Sequence, residues 1–147
     1  KKNKHFQKKI VSKIKNKKED NLSNIIKNLE DVIIKVDIEN DEYKILNDLK
    51  KYNNKINLLI IEFHQVGKNM KKINNFIKNN NLKIIHIHAN NFGGLDKKGI
   101  PTTLEVTFLN KRKFKILNKK TNQKYPIKGL DFKNHRSKDE IKLAFYD

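Results

Sequence analysis

The sequence predicts an α/β fold: a mostly parallel sheet with a late antiparallel strand. Three observations carry that prediction. Short apolar runs at residues 32–34, 58–61 and 84–87 alternate with stretches whose apolar residues recur at helical spacing. Strand, helix, strand, helix, strand in this order is the pattern of βαβ units, whose parallel strands are joined by crossover helices. The interval 89–101 after the third run holds Gly93, Gly94, Gly99 and Pro101 and is too short for such a helix, so the strand behind it is expected to run the other way. With 147 residues the chain has the length of one ordinary domain and one core.

Element by element, Phe6, Ile10 and Ile14 allow a weak, very basic helix, and Leu22, Ile25, Ile26 and Leu29 define a clearer one ending near Glu30. Residues 32–38 read as a strand with a nearly continuous apolar start, the pattern of burial on both faces. Asn40 is the expected N-cap of the next helix. Asp41 and Glu42 place negative charge in its first turn, and Tyr43, Leu46, Leu49 and Tyr52 form its apolar stripe. Residues 57–63 form the second strand; Met70, Ile73, Phe76 and Ile77 mark another amphipathic helix, and 82–88 the third strand. The reversed strand spans about 102–109, with Leu104, Val106 and Phe108 on one face and Thr103, Glu105 and Thr107 on the other. The tail is polar and lysine-rich until 138–146, where Ile141, Leu143 and Phe145 alternate as in a late edge strand. The chain thus divides into a basic N-terminal segment (1–21), an α/β unit (22–110) and a basic tail (111–147), without internal repeat.

Lys and Arg number 34 against 16 Asp and Glu, a formal charge of +18. Such charge attracts polyanions, but Arg112 and Arg136 are the two arginines, and planar guanidinium rather than lysine is the shaped reader of phosphate and guanine. Lys, Asn and Ile abound together, as expected of codons rich in A and T. Of the aromatic residues, Phe6 and Phe114 alone interleave with the basic stretches, so stacking platforms are sparse. Nucleic acid is therefore expected to bind only non-specifically. No cysteine is present, which excludes a disulfide framework and a thiolate zinc site and favours a reducing, cytoplasmic compartment. The apolar runs fall far short of the roughly 20 residues of a membrane span. The Lys-rich start has no apolar stretch behind it and does not read as a signal peptide, so no membrane partner is expected.

Ligands of a parallel sheet bind at the carboxyl ends of its strands. Here those ends carry Asp37 and Glu39, then Glu62 and His64, then His86 and His88 followed by Asn90 and Asn91. Carboxylates and imidazoles from distant positions would share one rim. Asp37 can serve a ligand or bond the following turn. Glu39 and Glu42 fit helix capping and dipole charge. Glu62 follows four apolar residues and needs a ligand or a histidine partner. His64 and His88 suit either a site or a satisfied rim position, and His86 fits contact with a covering helix. His64, His88 and Asp37 or Glu62 have the donor types for a divalent transition metal. No local spacing such as HExxH demands one, and no metal is assigned.

Taken together, four stretches resemble the FkbM-like S-adenosylmethionine-dependent methyltransferases. They are Ile-Lys-Val-Asp-Ile-Glu-Asn-Asp-Glu-Tyr at 34–43 with Leu46 beyond, Ile-Ile-Glu-Phe-His at 60–64, His-Ile-His-Ala-Asn-Asn at 86–91 and Leu-Glu-Val-Thr-Phe at 104–108. The family typically has Gly where this chain has Asn40, and Asn is among the residues that best tolerate positive φ. The resemblance spans roughly residues 22–108. It implies a Rossmann-like, seven-stranded sheet ending in a β-hairpin, and O-methylation of a sugar or small metabolite. Asp37, Glu62 and His64 would be catalytic, with a carboxylate or His as general base. His88, Asn90 and Asn91 would bind the acceptor, and Asp37 and Glu39 would contact S-adenosylmethionine. The family's Gly-rich cofactor turn lies on an earlier strand, whereas no glycine precedes Gly67 here. The chain then corresponds to the C-terminal half of such an enzyme, a partial methyltransferase domain. Its strand at 32–38 would become an exposed edge, prone to self-association. The alternatives are a basic nucleic-acid-binding module and a catalytically silent half-domain.

Overall fold

A computed structural model describes residues 10–11, 19–115 and 123–143. The elements are β1 (Ile10–Val11), β2 (Glu19–Asp20), α1 (Leu22–Ile26), β3 (Val32–Val36), α2 (Glu42–Lys51), β4 (Ile56–His64), α3 (Val66–Lys78), β5 (Leu82–Ala89) and β6 (Thr103–Asn110). β1 and β2 form a short parallel pair. The helix expected around Ile10 is therefore replaced by a strand at Ile10–Val11, and the rest of that segment lies outside the described residues. α1 stops at Ile26, short of the expected Glu30; Asn21 caps its start by accepting from the Asn24 N–H at 2.8 Å.

The fold is mixed α/β with an open four-stranded sheet in the order β3-β4-β6-β5. β3 is parallel to β4, whereas β6 runs antiparallel to both β4 and β5 and lies between them. The short 89–101 connection reverses the chain as expected, since it carries no crossover helix. Leu59, Ile61 and Phe63 of β4 and Val106 and Phe108 of β6 are buried against Ile45, Leu46 and Leu49 of α2 and Ile73 and Phe76 of α3. The helices thus cover one face, and period-2 alternation turns Ile60, Glu62 and His64 of β4 to the other. Phe108 meets Phe76 edge-on, with ring centroids 5.8 Å apart.

Three sequence expectations change. β3 is not buried on both faces, because it pairs with β4 alone among the described strands and its Ile33 is 70% exposed. Asn40 is not the N-cap of α2. That place falls to Asp41, while Asn40 takes the left-handed conformation, φ 75°, that the turn needs. The late strand is absent from residues 138–142, and Leu143 makes an isolated bridge to Tyr125; residues 144–147 lie outside the description. Instead of extending the sheet, residues 123–143 pack on its helix-free face through polar contacts. His86 pairs with Asp131 at 2.7 Å, and Asn91 donates to the carbonyls of His135 and Lys138, each at 3.0 Å. No helix among the described residues is long and apolar enough to cross a membrane.

Candidate functional site

Register brings the candidate residues into a row. Val36 is level with Ile61, so Asp37, the next residue of the chain, leaves β3 beside Glu62. Glu62 is paired directly with Glu105 of β6, and Glu105 directly with His88 of β5. A row of acidic and imidazole side chains therefore crosses the helix-free face of all four strands. At its β3-β4 end lies a cleft of about 390 Å³ lined by Lys35, Asp37, Glu39, Glu62, His64 and Glu105 among others. Four carboxylates against one lysine give this cleft the opposite sign to the chain as a whole.

The turn after β3 grips the end of β4. Glu42 Oε1 accepts the backbone N–H of His64 at 2.6 Å, and the Tyr43 hydroxyl donates to the His64 carbonyl at 2.5 Å. Burial, followed by the neighbouring Glu42 charge, pushes the Tyr43 hydroxyl far above its usual range, so it stays a donor. The His64 imidazole is bracketed as well. Its Nδ1 lies 3.4 Å from Glu42 Oε1 and its Nε2 3.3 Å from Glu39 Oε2. Glu39, Asn40 and Gln65 all hold positive φ, at 46°, 75° and 47°. For residues other than glycine such backbone costs of order 1 kcal/mol or more each, and it clusters where function demands a fixed geometry.

Asp37, Glu62 and His64 are brought together, with one donor atom of each within 4.8 Å of the others. Asn90 joins them by donating to Glu62 Oε1 at 2.7 Å, while its own Oδ1 accepts the Phe92 N–H. Burial, and then the Asp37 and Glu105 charges, raise the Glu62 carboxyl above its ordinary value, against the lowering effect of the Asn90 bond. Glu39 lines the same cleft from the exposed turn. His88 and Asn91 do not line it. His88 lies between Glu105 at 3.1 Å and Glu140 at 3.3 Å, and Asn91 is 1% exposed and used in the clamp on residues 135–138. A metal set containing both His64 and His88 is thus not assembled. The residue that sequence reasoning misplaced is Glu42, which has no exposed surface and underlies His64 instead of charging an open helix end. The available signal was its spacing, since 42, 45, 46 and 49 form the buried stripe of α2.

His88 makes the tail contact sensitive to pH. Burial lowers its pKa, but the hydrogen bonds to Glu105 and Glu140 outweigh that, and the net shift is upward. A raised folded-state value means stability that is complete below the unfolded value of about 6.5 and lost as pH rises through the folded one. Asp131 also raises it, and His86 and His64 are further imidazoles on this face. The stability difference between wild type and His88→Gln is expected to be largest near pH 6 and to shrink toward pH 8, in urea titrations at both pH values. A difference that grows with pH would show that the neutral imidazole holds the tail.

No known protein-family description matches the chain, and no curated protein and no solved structure matches it.

Proposed function

We propose that the chain is the acceptor-side part of an S-adenosylmethionine-dependent methyltransferase of the FkbM-like kind, acting on a hydroxyl of a sugar or small metabolite. The observation that carries this reading is the acidic cleft formed by Asp37, Glu39, Glu62 and His64 at the carboxyl ends of the parallel strands β3 and β4, with Glu105 of the antiparallel β6 beside them, in a chain of charge +18. S-adenosylmethionine, when bound, supplies an electrophilic methyl group on a positively charged sulfonium. Carboxylates opposite such a charge fit its reactive end. The rest of the cofactor would need the Gly-rich turn that this sequence does not contain. The antiparallel pairing of β5 and β6 supports the sheet end that the resemblance implies.

Within this reading the chain's own groups divide the work. Glu62, with its carboxyl raised by burial, takes the proton of the acceptor hydroxyl. His64, gripped by Glu42 and Tyr43, fixes the position of that oxygen, and Asp37 orients the acceptor from β3. Asn90 holds Glu62 in place. Nucleic acid is bound only through diffuse lysine charge, and such binding falls steeply with salt. Transfer of a labelled methyl group from S-adenosylmethionine to a panel of sugars and small alcohols tests the proposal, using this chain alone and joined to a Gly-rich cofactor-binding βα half. Label is expected on oxygen, with turnover reduced about 10²–10⁴-fold by Glu62→Ala and comparably by His64→Ala. Absence of transfer to every acceptor, together with no cofactor binding by calorimetry, would refute it.

A further inference from the structure

We infer that Asp37, Glu62 and His64 form a binding site for one divalent transition-metal ion of the Mn²⁺ or Zn²⁺ type. Two carboxylates and an imidazole are the mixed oxygen and nitrogen donors such ions take, whereas Mg²⁺ and Ca²⁺ prefer oxygen alone. Three donors sharing one ion at about 2.1 Å stand about 3.0–3.6 Å apart. The observed spread of up to 4.8 Å therefore closes with roughly 1–1.5 Å of side-chain movement, and Asp37 is exposed and can supply it.

One further observation points to a cation beside the triad itself. Beneath the triad, Glu42 is wholly buried with its Oε2 lacking any hydrogen-bond partner, and the His64 Nδ1 facing Glu42 is likewise buried and unpartnered. An isolated buried carboxylate is costly. A metal on His64 Nε2 eases both features, because it makes Nδ1–H a stronger donor toward Glu42 Oε1 and places positive charge beside the buried carboxylate. This carboxylate–histidine–metal arrangement is the usual way a protein fixes the tautomer and angle of a ligating imidazole. The Nε2 edge is the one open to the cleft, where exposed Glu39 approaches it at 3.3 Å and can yield or join. Three protein donors leave positions for substrate oxygens. The use of those positions to polarise an acceptor hydroxyl rests on the methyltransferase reading, but metal binding itself does not.

The test titrates Mn²⁺ into this chain without S-adenosylmethionine, following free Mn²⁺ by electron paramagnetic resonance. One saturable site per chain is expected. Asp37→Asn and His64→Gln should each weaken it at least about 10-fold, Glu42→Gln about 10- to 100-fold through the imidazole, and Glu30→Gln, away from the cleft, not at all. Mg²⁺ should compete at least about 10-fold more weakly than Zn²⁺. In a second measurement Zn²⁺ should shift the His64 ring-nitrogen NMR signals of the wild type and leave those of His86 in place, a readout that does not depend on any variant folding. Absence of saturable Mn²⁺ binding, or binding indifferent to Asp37→Asn together with an unmoved His64 signal, overturns the site. Because no methyl donor is present, failure here leaves the methyltransferase reading standing, and failed methyl transfer leaves the metal site standing.

Discussion

Phe108→Ala is expected to destabilise the fold by about 3–5 kcal/mol, the largest loss from any single truncation considered. Phe108 has no exposed surface, sits on the central strand β6 opposite Leu59 of β4 and Ile84 of β5, and meets Phe76 of α3 edge-on. Removing the ring leaves a cavity where two strands and a helix converge, and close-packed neighbours relax into such a space only in part. Phe132→Ala is the control. Its ring is 73% exposed, so its loss should change stability by no more than about 0.5 kcal/mol. Urea titrations of the two variants decide the matter: similar midpoints would mean that Phe108 is not the core residue its burial indicates.

Glu42→Ala should be the next most damaging, at about 1–3 kcal/mol, because it leaves the part-buried backbone N–H of His64 without its acceptor. Glu42→Gln keeps an oxygen in the same place to accept that N–H, and should lose less than half as much. The contrast separates the hydrogen bond from the charge. If Gln proves as damaging as Ala, the negative charge itself is what holds His64, through the Nδ1 contact at 3.4 Å. If neither substitution changes the unfolding midpoint, the grip of α2 on the end of β4 contributes nothing to stability.

Much of this fold was legible because its elements follow local periodicity. The β3-α2-β4-α3-β5 order, the reversal before β6 and the left-handed Asn40 each depend on residues close in sequence. Asp37, Glu62 and His64 were legible as neighbours for a related reason: once β3 and β4 are known to be parallel and adjacent, their ends coincide. Glu42 was not: the expected stripe of Tyr43, Leu46, Leu49 and Tyr52 does pack on the core, but it left out Ile45 and with it the acidic residue one turn earlier on the same buried flank. An acidic residue in a first helical turn resembles a dipole charge whether it faces water or the core, and only the packing partner distinguishes the two.

Between residues 22 and 110 the sequence by itself determined which segments become strands and helices, and that carboxylates and imidazoles end the strands, because side-chain period and turn chemistry act over a few residues. Tertiary structure alone decided that β6 inserts between β4 and β5, setting Glu62 against Glu105 and Glu105 against His88. It also decided that residues 123–143 occupy His86, His88 and Asn91, leaving the triad of Asp37, Glu62 and His64 to the cleft. Strand order and register are chosen by burial summed over the whole sheet, where a shift of one residue moves every side chain to the opposite face. That sum runs over residues far apart in the chain, and no local pattern encodes it.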